Sequence, residues 1–395
     1  MIPHPDVNTF FHGFGPHLSR KIINRMVDKA LYKKTEVTDQ RVHDFFQIES
    51  NQPRCYAPDV DPTKTKLAWG PFALPKLKRE LGSHDTLIVR QAVTTLADLV
   101  YDPVKIVDAK KLHIPSKLAM LLQSNDPYIR ERVTMTFKTM AQHAVGLELI
   151  SQNRTIIANL SSCFKDQLAA VRFQAALVVE TLVLDCEAAQ QLSVCGFVES
   201  INSRLCSELK YILVVHLRIL NELLHRNIKR QCVDLGMFAN LQALLKRRSE
   251  DVLCGALACL ALLCQDPCAR ELAIEADLLN TLKPLVLEDD RVSVNTEAAL
   301  CACLVTIATK GKLRLLQLEM TSPLVQLALN KCRYCRNPRL LLAIIKLLTN
   351  VSEAPDGRRL LLEKHYCDIV GIEVGGNELV EQHRRILLDT INWEP

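Results

Sequence analysis

From about residue 85 onward the chain alternates short polar breaks with apolar runs at helical spacing, and the arrangement returns about every forty residues. The segments DTLIVRQAVTTLADLV, DPYIRERVTMTFKTM and QLAAVRFQAALVVETL each carry a polar turn, an aliphatic residue and an arginine. Apolar residues follow three, seven and ten positions after that arginine. The arginines are Arg90, Arg130 and Arg172. The template continues from Leu213 with His216, Leu220 and Leu223, from Leu253 with Ala256, Leu260 and Leu263, and from Asn295 with Ala298, Ala302 and Val305. A seventh unit at Leu340 supplies Ala343 and Leu347, with Asn350 in the last place. Successive anchors lie 40, 42, 41, 40, 42 and 45 residues apart. Steps of three, four and three residues put these side chains on one face of a helix, which predicts a long helix with a buried stripe in every unit.

Upstream of most anchors a second apolar segment recurs: Leu118, Leu121 and Leu122; Leu241, Leu244 and Leu245; Leu282 and Leu285; Leu324 and Leu327. Each unit therefore has at least two helices. Gly196 before FVESI and Gly236 before MFANL mark breaks where the backbone needs a positive φ or a close approach. A 40–42 residue step with an arginine at the junction into the last helix resembles armadillo repeats, with the HEAT class as the structural alternative. The expected fold is all-α: a right-handed superhelical solenoid of about seven armadillo repeats over residues 71–371. Each repeat would bury its apolar face against its neighbours and leave a long concave surface for partners.

Both ends depart from the repeat. Residues 1–57 are expected to form an N-terminal extension with an amphipathic helix at about 17–34. Its stripe is Leu18, Ile22, Ile23, Met26, Ala30 and Leu31, flanked by Arg20, Lys21, Arg25, Lys33 and Lys34. Residues 58–70 read as a linker. Residues 372–395 read as a C-terminal capping helix, with Leu379, Val380, His383, Ile386, Leu387 and Ile391 at helical spacing, Asn377 as N-cap and Trp393 covering the last apolar surface.

Composition narrows the function classes. The 395 residues are 48% hydrophobic and 5% aromatic with 13 Gly and 17 Pro, which suits a packed helical chain better than a β-sandwich or a disordered one. A net charge of +5 gives no broad basic field for nucleic acid. Most of the 15 cysteines sit in apolar helical stretches, as Cys259 and Cys264 do, which is the pattern of buried thiols in a reducing compartment. The N-terminal residues lack the order of a secretory signal, and the uncharged run Val252 to Cys264 is too short to span a bilayer. A cytoplasmic protein without a membrane partner is expected.

Candidate chemistry is sparse. No phosphate loop, zinc-protease helix, EF-hand loop or nucleophile elbow occurs. Cys332 and Cys335 resemble half a zinc site without a second half, Cys301 and Cys303 face different ways on a helix, and His12 and His17 lie in an aromatic terminal stretch. His216 falls on the buried stripe and reads as a satisfied core histidine. The expectation is no enzyme, no cofactor, no metal and no small-molecule substrate. Candidate partner-binding residues are Lys246, Arg247 and Arg248 in one inter-helix junction and Arg333, Arg336 and Arg339 in another, facing acidic partners. Lys76, Lys78 and Arg79 form a similar cluster, and solvated loop charge is the alternative reading for all three. A groove ladder of tryptophans five residues after each anchor and asparagines nine after is missing: those places hold Thr95, Met135, Leu177, Arg218, Ala258, Leu300 and Ile345, then Leu99, Thr139, Thr181, Glu222, Leu262, Leu304 and Thr349. An import adaptor is disfavoured.

Four segments carry a resemblance beyond the repeat period: VDPTKTKLAWGPFALPKLKREL leading into the first repeat, ATKGKLRLLQ, NVSEAPDGRRLL and the closing INWEP. Over roughly residues 58–395 the chain resembles the radial spoke head 14 homolog family, armadillo-repeat proteins of the ciliary and flagellar axoneme. The resemblance implies a non-enzymatic structural subunit of the radial spoke, with other radial spoke proteins and doublet-microtubule-associated proteins as partners. It transfers no catalytic residues, and residues 1–57 depart from the family pattern.

Overall fold

The computed structural model describes residues 72–393 apart from 227, 289 and 331–337, so the expected N-terminal helix, His12, His17, Arg333, Arg336 and the Cys332/Cys335 pair lie outside the described residues. The chain divides into two units after Arg79. The described part of the first, residues 72–79, is almost wholly the helix α1 (Ala73–Glu80), whose last residue falls in the second unit and in which Lys76 is buried. That placement corrects the reading of Lys76 as a solvated loop charge.

The second unit contains, among the described residues, helices and no strands. Seven long helices carry the predicted stripes: α2 (Thr86–Leu99), α5 (Pro127–Ala141), α8 (Ala169–Leu182), α11 (Lys210–Leu224), α14 (Glu250–Leu263), α17 (Val292–Val305) and α20 (Pro338–Ser352). Two short helices separate most neighbours: α3 (Pro103–Lys111) and α4 (Ile114–Leu121), α6 (Ala144–Ser151) and α7 (Arg154–Cys163), α9 (Cys186–Val194) and α10 (Phe197–Arg204), α12 (Lys229–Asp234) and α13 (Met237–Leu244), α15 (Pro267–Glu275) and α16 (Leu278–Leu287), α18 (Thr309–Gln317) and α19 (Thr321–Leu329). After α20 come α21 (Pro355–Val370) and α22 (Glu378–Ile391). The first short helix of each triplet is too brief to show a sequence period, but its start is written in the chain. Asp102 and Asp266 cap α3 and α15 ahead of a proline, whose missing N–H costs nothing in a first turn.

The turn between the two short helices repeats as a left-handed residue at His113, Gly196, Gly236, Asp277 and Glu319. The two glycines adopt it without strain, as their sequence positions suggested. A different constraint acts at Gly311, the third residue of α18, where a Cβ would run into the Val305 carbonyl; only glycine lets the chain fold back that closely on the long helix just finished.

Each long helix packs on the next, from α2 on α5 through to α20 on α22. The stripe residues from Val93 to Leu347 are buried, and Asn350 is half-buried and donates to the Cys303 carbonyl in the preceding long helix. Two expectations need correction. Trp393 is 56% exposed, lying under the Arg358 guanidinium 4.7 Å away rather than covering apolar surface. On α22 Val380, Leu387 and Ile391 are buried, whereas Leu379 and Ile386 face outward because α20 covers only one side of that helix.

The three anchor arginines do more than mark a junction. Arg90 donates through Nε and Nη2 to both carboxylate oxygens of Asp126, at 2.6 and 3.1 Å. Arg130 does the same to Asp166, at 2.6 and 3.0 Å, and Arg172 to Glu208, at 2.8 and 2.7 Å. The partner is always 36 residues on, just before or at the start of the next long helix. The same acids accept backbone N–H groups there, from Tyr128, Leu168 and Leu209. Asp126 therefore caps its own helix, Asp166 and Glu208 bind the N–H of the residue from which theirs starts, and each holds the arginine of the helix before in the strong bidentate geometry. The arginine side chains become progressively less exposed, from 44% to 17% to 8%, and the Glu208 side chain is fully buried. Burial alone would raise the Glu208 carboxyl, yet the Arg172 hydrogen bonds and the Leu209 N–H hold it below the usual carboxylate range.

His216 occupies the stripe of α11 where other units have Val or Ala. It is fully buried and stacks on Phe164 with ring centroids 5.1 Å apart. Both ring nitrogens lack a hydrogen-bond partner among the described residues, which corrects the reading of a satisfied core histidine. Burial pushes its pKa down to about 4, against the pull of Glu208 and with the help of Arg172 and Arg204. Protonation would place an unpaired charge between stacked helices.

Two outcomes follow. Arg172→Met strands the buried Glu208 carboxylate and is expected to cost on the order of 3 kcal/mol in urea unfolding, while Arg90→Met, at the exposed end of the same series, is expected to cost far less. Equal losses would contradict the gradient of burial. For His216 the folded pKa lies below the unfolded one, so the unfolded chain binds more protons between the ordinary histidine value of 6.5 and about 4, and stability falls as pH drops through that window. His216→Leu should flatten that part of the stability–pH curve relative to wild type; parallel curves would remove His216 as the cause.

Candidate functional site

The positions three, seven and ten after each anchor are used in stacking, and among the residues between them some stay accessible on the long-helix row, as Cys254, Gly255 and Ala258 do on α14. A concavity of about 620 Å³ on it is lined from α8, α11, α14 and α17 and the turn after α8. The floor is apolar and made of small side chains. Gly255 of α14 sits where a Cβ would lie 3.0 Å from Leu217 Cβ and 3.1 Å from Leu217 Cδ1, so glycine sets the approach of α14 to α11. Ala258, one turn on, adds only a methyl group, and Leu184 forms an exposed apolar wall.

The rim is acidic. Glu180, Glu222 and Glu297 line it against one cation, Arg218, whose Nε already lies 3.0 Å from Glu180 Oε1. Burial raises the Glu297 carboxyl, and Arg339 at the start of α20 opposes that shift. Nearer the first repeat the face is lined differently. There the guanidinium groups of Arg90 and Arg132 lie 5.4 and 5.2 Å from the centre of the Tyr128 ring, and the Tyr128 hydroxyl is 3.1 Å from Thr94 Oγ1.

The basic residues singled out from sequence take different places. Lys246, Arg247 and Arg248 form the exposed turn between α13 and α14. Arg247 donates to the Cys206 carbonyl at 2.8 Å, and the Arg248 carbonyl accepts from Arg291 at 3.0 Å, so this turn is tied to both neighbouring repeats. Arg339 lies near enough to Glu297 to oppose the rise of its carboxyl, a proximity that sequence spacing did not suggest. The acidic rim was also missed. Its signal was present in the ladder test, which put Arg218, Ala258 and Glu222 where bulky aromatic and amide side chains were sought.

Three of the thiols set in the helical core are poor candidates for chemistry. Burial pushes Cys163 and Cys232 up to about 12 and Cys303 up to about 11, so little thiolate is available as a nucleophile or ligand. Among the described residues no group of three or more His, Cys, Asp or Glu is arranged to hold a metal, and no helix is long and apolar enough to cross a membrane.

No family model matches the sequence. Similar solved structures include an engineered protein, 18% identical, in which the match covers 80% of this chain and 78% of that one with a TM-score of 0.68. A computationally designed armadillo repeat protein for modular peptide recognition is 18% identical and covers 58% of this chain and 99% of its own, with a TM-score of 0.52. A designed armadillo repeat protein in complex with the peptide (KR)4 is 16% identical and covers 59% and 99%, with a TM-score of 0.51. With the stacked helical triplets, these likenesses show the fold: the chain forms an armadillo-like helical solenoid.

Proposed function

We propose that this chain is a non-enzymatic scaffold subunit of the ciliary and flagellar radial spoke, holding other spoke proteins along its solenoid surface and supporting axonemal motility. The observation that carries the reading is the use of the buried side chains for stacking, which leaves an extended row of long-helix faces as the available surface. The runs VDPTKTKLAWGPFALPKLKREL, ATKGKLRLLQ, NVSEAPDGRRLL and INWEP support the spoke assignment within that class. In this reading residues 71–371 are the repeats, residues 372–395 cap them, and residues 1–57 with the linker 58–70 are an appended segment. Lys246, Arg247, Arg248, Arg333, Arg336 and Arg339 would meet acidic segments of partners, including proteins bound to the doublet microtubule. The site of action is the axoneme within the cytoskeleton.

A second reading, a soluble adaptor that takes peptide segments in its groove, is favoured by the acid-rimmed concavity on α11 and α14 and by neighbours designed for peptide recognition. Fractionation of motile cilia separates the two. The scaffold is expected to remain with the axoneme through detergent extraction and to leave with concentrated salt or chaotrope, followed by quantitative mass spectrometry. Recovery in the detergent-soluble matrix would favour the adaptor.

A further inference from the structure

We propose that Ser322 is a covalent modification site that takes up an acyl group from an acyl thioester, with His365 as general base and Asp368 as the residue that positions it. The modification is independent of the scaffold reading: one acyl group is taken up per chain, and no turnover is implied.

Three side chains on two helices carry it. Ser322 stands in the first turn of α19 and His365 43 residues on in α21, and the fold brings Ser322 Oγ to 2.8 Å from His365 Nε2. On the other side of the ring His365 Nδ1 lies 3.2 Å from Asp368 Oδ2, one turn farther along α21. A serine–histidine contact alone is an ordinary tie between helices. The carboxylate adds something else: it holds the Nδ1 proton, so the neutral ring turns the Nε2 lone pair toward the hydroxyl. Nucleophile, base and orienting acid thus stand in the order that activates a serine.

The backbone supplies a second component. No side chain caps α19, so the N–H groups of Thr321 and Ser322 in its first turn are left to stabilise negative charge developing on a carbonyl that Ser322 attacks. The neighbouring Thr321 hydroxyl is buried and has no hydrogen-bond partner among the described residues.

Accessibility selects the donor. The His365 side chain is 11% exposed and that of Asp368 40%, Ser322 is half-buried, and Leu362, one turn before His365, is an exposed apolar contact for an acyl chain. A site this open orients a substrate weakly, so a donor whose leaving group is already good fits it and an amide does not. Oγ attacks the thioester carbonyl carbon as its proton passes to Nε2. The C–S bond then breaks and the thiolate leaves with that proton, giving an oxygen ester on Ser322 and a free thiol.

The test incubates the full chain with the acetyl thioester of N-acetylcysteamine and maps acetyl groups by peptide mass spectrometry. Neutral hydroxylamine before mapping strips thioesters from Cys367 and the other exposed thiols and leaves oxygen esters in place. An acetyl group on Ser322, absent from Ser322→Ala, is expected. His365→Gln should slow the labelling about a hundredfold. Asp368→Asn should slow it as well and Asp368→Glu should recover part of the rate, a split that a merely structural tie would not produce. Thermal melting of each variant checks that α19 and α21 remain packed. Labelling of Ser322 no faster than that of the exposed Ser207, or at the same rate in His365→Gln, overturns the proposal and leaves the scaffold reading standing.

Discussion

The contact on which the rest depends is the one between consecutive long helices. Each of them is buried by its own short helices and by the long helix on either side, and nothing farther along the chain contributes comparably. Stability in such a rod is close to a sum of neighbour terms, so each interface must be favourable by itself. The chain meets that demand in two ways. Between α2 and α11 an arginine grips a carboxylate at the entry to the next helix, and α14 to α20 pack mainly through aliphatic and thiol side chains, as in Val252, Leu253, Leu257, Cys259 and Leu260 of α14, with Asn350 bonded to the Cys303 carbonyl. The polar version specifies alignment as well as energy. Arg130 and Arg172 each also donate Nη1 to two carbonyls of the turn before their own helix, so a slide by one turn would break every bond at once.

His216 lies at the changeover. It stands on α11 beside the most buried of the three ion pairs, where the stripe has room for an aromatic ring against Phe164 but supplies no acceptor for it. The nearby charges pull in opposite directions, Glu208 toward the protonated ring and Arg172 with Arg204 away from it, and desolvation outweighs them all. A neutral ring is thus a condition for this interface to form, which gives the middle of the rod an acid sensitivity that the aliphatic interfaces beyond it lack.

The sequence made the period and the stripe legible because burial there recurs at fixed spacing, and a property repeated seven times outweighs local exceptions such as Asn295. The arginine partners were also within reach: a carboxylate stands 36 residues after each of Arg90, Arg130 and Arg172, and a search at that offset would have paired them. The first short helix of each triplet was not legible, since six to nine residues hold too few turns for a period to emerge. Trp393 misled for a different reason. Its size suggested burial, but a guanidinium above the ring face offers an exposed indole an alternative to apolar cover. The groove was legible only as a negative, the absence of one known ladder, because small residues at Gly255 and Ala258 acquire meaning only when the neighbouring helix is in place.

Stacking and recognition use different residues of the same helices, and this separation bears on how function is carried. On α14, Leu253, Ala256, Leu260 and Leu263 belong to the buried stripe, while Cys254, Gly255 and Ala258 face the groove. Substitutions in the second set can change the surface without removing neighbour contacts, with Gly255 as the exception because its missing Cβ serves both. The helix period keeps the two sets apart at every repeat, so the lining can vary along the row, guanidinium groups over the Tyr128 ring in one place and carboxylates around Glu222 in another, over a framework that hardly changes. A rod built this way presents different chemistry to different partners along its length, and that property is what a scaffold requires.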